Sequence, residues 1–233
     1  MCAVTWMPCA AESISGKEAH LDRIKPDWKH HRVIHSKFPP LDCFESEDFL
    51  LLAELESATS DRIAHWPRYV DEKDFRYGPG WGAVMASFCY PAEGRFNTRS
   101  RGAYYAGDCL ETALREWSYH AGKTWRGFGV GNDYSAVVRC YTGHAAEPLV
   151  DLRNQPQYMH NTNYAPGQHI AADLLNAGEY GILFSSIRNP GAEAIALLRP
   201  PGTTPVIQAG HYVLQWNGER FSQYARLEEY SPL

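Results

Sequence analysis

Residues 94–120 of this 233-residue chain read GRFNTRSRGAYYAGDCLETALREWSYH. The segment begins with a glycine-containing turn, continues with a short apolar run typical of a strand, and ends with helical spacing of its apolar residues. Asp108 followed three residues later by Glu111 is a capping-box pattern, with aspartate in place of serine or threonine. We therefore expect a turn, a strand and a helix in succession, with the helix over about 109–120.

The helix in this segment has one apolar face and one informative acidic residue. At about 100° per residue, Glu116 lies on the flank of the apolar stripe, on the same side as His120. A carboxylate there either reaches solvent, as a modest surface pair with His120, or lies at the rim of a cavity. The residues that we expect on the core face are Leu110, Ala113, Leu114, Trp117 and Ala121.

The strand and the turn before the helix present further polar groups. Tyr104 and Tyr105 are adjacent, so they must point to opposite faces of a strand, and one of them can line the same cavity as the helix. Arg95 lies in the Gly-Arg-Phe-Asn turn. An arginine in such a turn either braces the loop or holds a phosphate with its planar fork of donors.

A second informative stretch is 180–200, YGILFSSIRNPGAEAIALLRP. An apolar strand leads into Ser185 and Ser186, then a turn at residues 189–191, then another apolar strand. In this predicted hairpin, the serine hydroxyls either satisfy turn amides or reach a ligand at the strand end. The chain has no Gly-x-Ser-x-Gly elbow, phosphate-binding loop or HExxH motif, so a hydrolase-type serine nucleophile and a metal site are not expected.

The rest of the chain predicts a mixed α+β fold. Helices are expected over 45–56 and over 170–176, which ends near Gly178, while 83–90 fits either a strand or a short helix. Short apolar runs alternate with turns and show no regular βαβ repeat. The predicted strands are 103–106, 135–141, 181–184, 192–198, 206–208 and 212–216.

Composition and targeting signals limit the classes of function. The formal net charge of −5 gives no general basic field, which argues against direct binding of nucleic acid. The six cysteines show no CxxC pair, and no apolar run is long enough to span a membrane. The N-terminus shows no secretory pattern, so a cytoplasmic location is expected. Residues 1–35 lack periodicity and are interpreted as an N-terminal extension to a single catalytic domain over 36–233.

The ordered motifs resemble the RES domain family. The matching pieces are GRFN at 94–97, GAYYAGDCLETALREW at 102–117 and the hairpin at 180–200. Two upstream pieces, HSKFPPLDCFE and YGPGWGAVMASF, are similar to one subgroup, so the resemblance covers about 32–220. The chain departs from the family pattern at Phe184-Ser185 and at residues 191–194, which concerns the fine shape of the pocket.

The resemblance implies an ADP-ribosyltransferase-like fold with short mixed or antiparallel strands and flanking helices. It also implies a bacterial toxin that consumes NAD⁺, with NAD⁺ as a substrate and with no cofactor. The usual partner in the family is an Xre-type helix-turn-helix antitoxin. The family's glutamate, tyrosine and serine fall on Glu116, Tyr105 and Ser186. The reaction implied is cleavage of the bond between nicotinamide and ribose, with water, phosphate or a protein side chain as acceptor.

The family's arginine is assigned to Arg76 as the fourth catalytic residue, with Arg62, Arg68 and Arg95 as further candidates. The substrate-binding residues expected from the same resemblance are Arg95, Arg62, His120 and Arg188. Two other functions remain open at this point. One is protein ADP-ribosylation, which uses the same substrate, and the other is a noncatalytic module that binds a nucleotide or a partner.

Overall fold

The structure, a computed structural model, describes residues 21–36 and 66–227. Within these ranges, nine strands form one sheet in the order β1-β5-β6-β7-β3-β2-β4-β8-β9, and all neighbours are antiparallel except β5 and β6. The expected α+β class is confirmed. The strands are β1 Arg23–Ile24, β2 Lys29–His35, β3 Tyr104–Gly107, β4 Asn132–His144, β5 Leu149–Asp151, β6 Gly181–Ser185, β7 Glu193–Leu197, β8 Ile207–Asn217 and β9 Phe221–Leu227.

Three α-helices in the described ranges cover parts of this sheet: α1 Gly82–Cys89, α2 Leu110–Gly127 and α3 Ala165–Asn176. The buried apolar residues form three clusters, and each helix contributes to a different one. In the cluster under α2, Leu114 packs with Val138 and Leu214 of the sheet. Burial of a side chain of this size stabilises the fold by about 1.5–3 kcal/mol, so the apolar stripe fixes which flank of α2 carries Glu116.

The sheet opens between β2 and β3. Strand β2 pairs with β4 along its whole length, from Lys29 opposite His144 to His35 opposite Val138. Its pairing with β3 is limited to His31 opposite Gly107. Beyond that pair, the two strands diverge, and a cavity occupies the space between them. The central part of the sheet is therefore also the place where a ligand can enter.

Most of the sequence-based element predictions are confirmed, with some changes. The predicted strands at 206–208 and 212–216 form one strand, β8, whose register with β4 shifts at Cys140/Tyr141. Residues 83–90 form a helix, and the helix expected at 170–176 begins at Ala165 and is followed by Gly178 at φ +86°. The helix expected at 45–56 lies outside the described residues. Strands β1, β2, β5 and β9 were not predicted.

The prediction of a capping box at the start of α2 is wrong. The residue before the helix is Cys109, and the structure shows no side-chain capping bond there. The Asp108 carboxylate instead accepts hydrogen bonds from Thr112 Oγ1 at 2.7 Å and from the Glu193 backbone N–H at 2.8 Å. Glu111 forms an exposed ion pair with Arg115. The helix also continues to Gly127, past the predicted end at His120.

The predicted boundary at residue 36 is wrong for the described part of the N-terminal segment. Residues 29–35 form β2, which lies between β3 and β4, and residues 23–24 pair with β5. Trp28 Nε1 also donates to Glu193 Oε2 at 3.0 Å. Residues 21–36 thus belong to the sheet. No helix in the described ranges is both long and apolar enough to cross a membrane.

Candidate active site

The opening between β2 and β3 forms a cavity of about 700 Å³. Its walls are β2, β3, α1, α2 and the turn that contains Arg95. This volume lies within the range of roughly 300–1,000 Å³ that is usual for small-molecule sites. The polar and aromatic side chains of the wall include His31, Arg32, Arg95, Tyr105, Glu116, His120, Tyr164 and Arg188.

Glu116 lies at this cavity and is bound by Ser186 from a different element. The helical period brings Glu116 to the flank of α2, and β6 ends immediately before Ser186. Ser186 Oγ donates a hydrogen bond to Glu116 Oε1 at 2.8 Å, and Ser186 is buried. The sequence allowed Glu116 either to reach solvent or to lie at the rim of a cavity, and in the structure it lies at the cavity. The acid and the hydroxyl are brought together as the sequence analysis expected.

Tyr105 faces the cavity, whereas Tyr104 is buried in the apolar core. The Tyr105 hydroxyl donates to Asn97 Oδ1 at 2.9 Å and accepts from the Phe96 backbone N–H at 2.8 Å. Burial raises the pKa of this phenol above its ordinary value, so the hydroxyl stays protonated. Because its one hydrogen is bound to Asn97, Tyr105 offers a ligand mainly its ring.

Arg95 is held at the cavity by neutral groups. Its Nη1 donates to the His160 carbonyl oxygen at 2.6 Å, and its guanidinium carbon lies 5.4 Å from the Tyr164 ring centroid. Burial lowers the pKa of Arg95 from its ordinary value, and Tyr164 and Glu116 counteract this shift. An arginine nevertheless stays charged at neutral pH. Arg95 therefore presents a fixed positive charge.

Arg188 is held in a similar way. Its guanidinium carbon lies 3.4 Å from the centroid of the Tyr119 ring, and Nη1 donates to Asn161 Oδ1 at 3.1 Å. Neither Arg188 nor Arg95 forms an ion pair with any carboxylate in the described ranges. Two positive charges at the cavity thus have no ion-pair partner among the described residues.

His120 lies one helical turn after Glu116 and also lines the cavity. Burial lowers the pKa of its imidazole, and the positive charges of Arg188, Arg95 and Lys123 lower it further. The neutral imidazole is the favoured form at neutral pH. His120 can therefore donate or accept a hydrogen bond without adding a further positive charge.

Two of the predicted upstream arginines are not at the cavity. Arg76 Nη1 donates to the Lys73 and Phe75 carbonyl oxygens at 2.9 and 2.8 Å, and Arg76 is absent from the cavity wall. Its assignment as the catalytic arginine is therefore corrected, because its short loop directs it to its own backbone. Arg68 is likewise absent from the wall. Arg62 lies outside the described residues.

Arg32 is a cavity residue that the sequence analysis missed. It lies on β2, where its Nη1 donates to the Tyr105 carbonyl oxygen at 2.8 Å across the opening in the sheet. Its guanidinium carbon is 4.7 Å from the Tyr104 ring centroid, and its Nε has no partner in the described part of the chain. Burial lowers its pKa from the ordinary value. The sequence signal was weak, a strand period within KHHRVIH at 29–35.

The arrangement suits an anionic ligand that also has flat rings. It offers the positive charges of Arg32, Arg95 and Arg188, aromatic surface from Tyr105 and Tyr164, and one carboxylate bound by a hydroxyl. Among the described residues, no group of three or more His, Cys, Asp or Glu side chains could hold a metal ion. The side chains at the cavity can supply electrostatic stabilisation and hydrogen bonding.

Comparison with known proteins agrees with the sequence motifs. A family model described as the RES domain matches residues 61–217. A curated relative, "Uncharacterized protein y4oC" of Sinorhizobium fredii, is 25% identical over 215 residues, which cover 87% of this chain and 89% of the relative. A chain from the crystal structure of the M. tuberculosis MbcT-MbcA toxin-antitoxin complex is 10% identical, with a TM-score of 0.40 over 84% of this chain and 87% of that chain. This last similarity is distant, and the family assignment rests on the family model.

Proposed function

Because the chain belongs to the RES domain family, we propose that it degrades NAD⁺ by cleaving the N-glycosidic bond between nicotinamide and ribose. The observation that supports this most directly is the Glu116 carboxylate at the cavity, hydrogen-bonded by Ser186 and near two guanidinium groups without carboxylate partners. The resemblance of the motifs supplies the substrate class. The charges and rings of the cavity are what such a substrate requires.

NAD⁺ has a pyrophosphate group between two nucleosides, and Arg95 and Arg188 are suited to it. A guanidinium group presents parallel N–H donors that match two phosphate oxygens. The neutral partners of both arginines orient the donors and leave the charge for the ligand. Arg32, deeper in the opening, adds a third guanidinium. The Tyr105 ring offers a surface on which a base or a nicotinamide ring can stack.

Glu116 would act on the ribose. Loss of nicotinamide leaves positive charge on the sugar in an oxocarbenium-like transition state, and a nearby carboxylate stabilises that charge. Nicotinamide leaves as a neutral molecule, so the reaction needs no proton donor for the leaving group. Ser186 binds Oε1 of the carboxylate, while Oε2 accepts no hydrogen bond from the described residues. That oxygen is available to a ribose hydroxyl or to the attacking acceptor.

The decisive experiment measures nicotinamide released from NAD⁺ by the purified chain and by the variant Glu116→Gln, which keeps the shape of the side chain. We expect a loss in kcat of roughly 10²-fold or more, because the amide cannot balance the developing charge. The matched control is Glu111→Gln, on the same helix but exposed and paired with Arg115. Full activity in Glu116→Gln, or no nicotinamide release by the unmodified chain, would refute the proposal.

NAD⁺ labelled in its ADP-ribose part distinguishes the related functions by where the label ends up. Free ADP-ribose indicates water as the acceptor, and phosphorylated ADP-ribose indicates phosphate. Label that becomes attached to protein indicates an ADP-ribosyltransferase. Tight binding of NAD⁺ without turnover indicates a noncatalytic binding module.

The family resemblance also suggests a toxin with an antitoxin partner. We propose that induced expression of the chain in bacteria lowers cellular NAD⁺ and stops growth, and that Glu116→Gln abolishes both effects. A helix-turn-helix partner of Xre type would restore NAD⁺ and growth when it is expressed together with the chain. Normal NAD⁺ in cells that accumulate the folded chain would contradict a toxin function.

A further inference from the structure

The turn between β6 and β7 contacts α2 at two points that are one helical turn apart. The first is the bond from Ser186 to Glu116. The second is a bond from Asn189 Nδ2 to Thr112 Oγ1 at 2.9 Å. Thr112 is four residues before Glu116, so the two contacts lie along the same side of the helix. The proposed chemistry uses only the first contact.

The second contact has a fixed direction. The Thr112 hydroxyl has one hydrogen, which it donates to Asp108 Oδ1 at 2.7 Å, so its oxygen is left to accept from Asn189. Asp108 is itself tied to β7, because its Oδ2 accepts from the Glu193 N–H at 2.8 Å. Thr112 has no solvent exposure, and such a buried hydrogen-bonded group is costly to disturb. This polarity holds the Asn189 side chain in one orientation.

Asn189 also orients the Ser186 hydroxyl group. Its backbone N–H donates to Ser186 Oγ at 3.1 Å, which occupies a lone pair of that hydroxyl and leaves its hydrogen for Glu116. The Asn189 carbonyl oxygen accepts from the Ala192 N–H at 3.0 Å and closes the turn. A displacement of Asn189 would therefore move the donor that orients Ser186. The side chain of Asn189 and the Ser186–Glu116 bond are mechanically connected.

We propose that Asn189 and Thr112 form a positioning clamp that aligns Ser186 with Glu116. This proposal rests on the proposed function of the same site. Neither residue lines the cavity, so neither is assigned a contact with substrate. Their effect is on the orientation of the catalytic carboxylate, and substrate affinity depends on the arginines. Loss of the clamp should lower kcat and leave KM for NAD⁺ nearly unchanged.

The test uses Thr112→Val, which removes the hydroxyl and keeps the shape, with Thr112→Ser as the conservative variant that restores it. We expect Thr112→Val to lower kcat roughly tenfold, because small errors in alignment are costly to catalysis, with KM changed less than about twofold. Thr112→Ser should recover most of kcat. In a Ser186→Ala background, Thr112→Val should have little further effect, because its influence acts through Ser186.

The matched control is Thr203→Val. Thr203 is also a buried, hydrogen-bonded threonine, with bonds to His30 and to the His144 carbonyl oxygen, and it is not a cavity residue. It should lose comparable thermal stability and keep kcat. If Thr112→Val does not fold, Asn189→Ala tests the same contact, since it keeps the backbone N–H. Equal loss of kcat in Thr203→Val, or full multiplicative loss in the double variant, would overturn the clamp.

A crystal structure of Thr112→Val tests the geometry independently of any reaction. We expect the distance from Ser186 Oγ to Glu116 Oε1 to exceed 3.5 Å, beyond the limit of a hydrogen bond. An unchanged 2.8 Å contact would refute the positioning role. If the unmodified chain does not cleave NAD⁺, the proposed function fails. The crystal structure then still decides whether the clamp aligns Ser186.

Discussion

Two groups of arginines in this molecule differ in what faces their guanidinium groups. The anchor arginines, Arg199 and Arg153, are paired with carboxylates. Arg199 donates from Nε and Nη2 to the two oxygens of Asp74 at 2.6 and 2.7 Å. Arg153 binds Asp151 through two bonds and also binds Glu193. These hydrogen bonds raise the pKa of each anchor arginine above its ordinary value.

The cavity arginines, Arg32, Arg95 and Arg188, are held by carbonyl or amide oxygens and by tyrosine rings. Neutral partners orient a guanidinium group but do not neutralise it. A bound anion can therefore form ion pairs with the cavity arginines, whereas the anchor arginines already have carboxylate partners. We therefore propose that the anchor arginines contribute to the stability of the fold and that the cavity arginines contribute to binding.

The largest expected effect is on stability, from Asp74→Ala. Asp74 is 4% exposed and the Arg199 side chain is 14% exposed, so removal of Asp74 leaves a largely buried guanidinium group without its bidentate carboxylate partner. We expect a loss of about 3–5 kcal/mol in the free energy of unfolding, measured by denaturant titration. The control Asp71→Ala removes an exposed carboxylate 4.0 Å from Lys73 and should change stability by less than about 1 kcal/mol. Equal losses of stability in both variants would contradict a special role of the Arg199–Asp74 pair in stabilising the fold.

The next largest effect is on substrate affinity, from Arg95→Leu. This variant removes one of the charges proposed for the pyrophosphate, so KM for NAD⁺ should rise roughly 30-fold with a small change in stability. Arg95→Lys should recover only part of the affinity, because an ammonium group lacks the planar fork. Arg99→Leu, an exposed arginine in the same loop, is the control and should keep KM. A large loss of stability in Arg95→Leu would place Arg95 with the anchors.

A somewhat smaller effect is expected from Arg188→Leu. Its guanidinium group is closer to a tyrosine ring than that of Arg95, 3.4 Å against 5.4 Å, so less of it is free to bind a ligand. We expect KM for NAD⁺ to rise roughly tenfold. Arg115→Leu on α2 provides the control, since Arg115 pairs with Glu111 at the surface. If KM stays constant in Arg188→Leu, the proposed contact between Arg188 and the pyrophosphate is wrong.

The parts of this site that the sequence predicts depend on near neighbours. The helical period sets the flank position of Glu116, and the turn residues after β6 indicate a hairpin that carries Ser186. Strand alternation separates Tyr104 from Tyr105. These relations hold within a few residues, so composition and spacing are sufficient. That Glu116 and Ser186 lie together came from the resemblance of the ordered motifs, since spacing along the chain does not determine a contact between two elements.

The missed parts depend on distant partners. Strand β2 reads KHHRVIH, which is too polar to indicate a central strand, and its place is set by pairing with β4 far along the chain. Arg32 was therefore not predicted as a site residue, whereas Arg76 was assigned from the order of the family motifs. The capping pattern at Asp108 failed for a related reason. Its carboxylate is used by Thr112 and by the backbone of β7, and such tertiary bonds override a local preference.

The smallest predicted effect concerns pH and the charge of the cavity arginines. Burial, and then Arg188, Arg95 and Lys123, lower the pKa of His120 below its ordinary 6.5. The neutral form is favoured in the fold, so this contribution to stability is complete above pH 6.5 and is lost as pH falls through the lowered pKa. A bound pyrophosphate offsets the arginine charges and should raise the pKa of His120. Ligand binding is then accompanied by protonation of His120 at lower pH, which strengthens binding.

The dissociation constant of NAD⁺ should therefore decrease roughly threefold between pH 7.5 and 5.5. Calorimetry on Glu116→Gln, in which turnover is expected to be slow, measures this dissociation constant. Adding His120→Gln removes the titrating group, so the pH dependence should disappear, whereas His169→Gln, an exposed histidine on α3, should keep it. Affinity that weakens as the pH falls would mean that the ligand's negative charge lies away from His120, and hence away from Arg95 and Arg188.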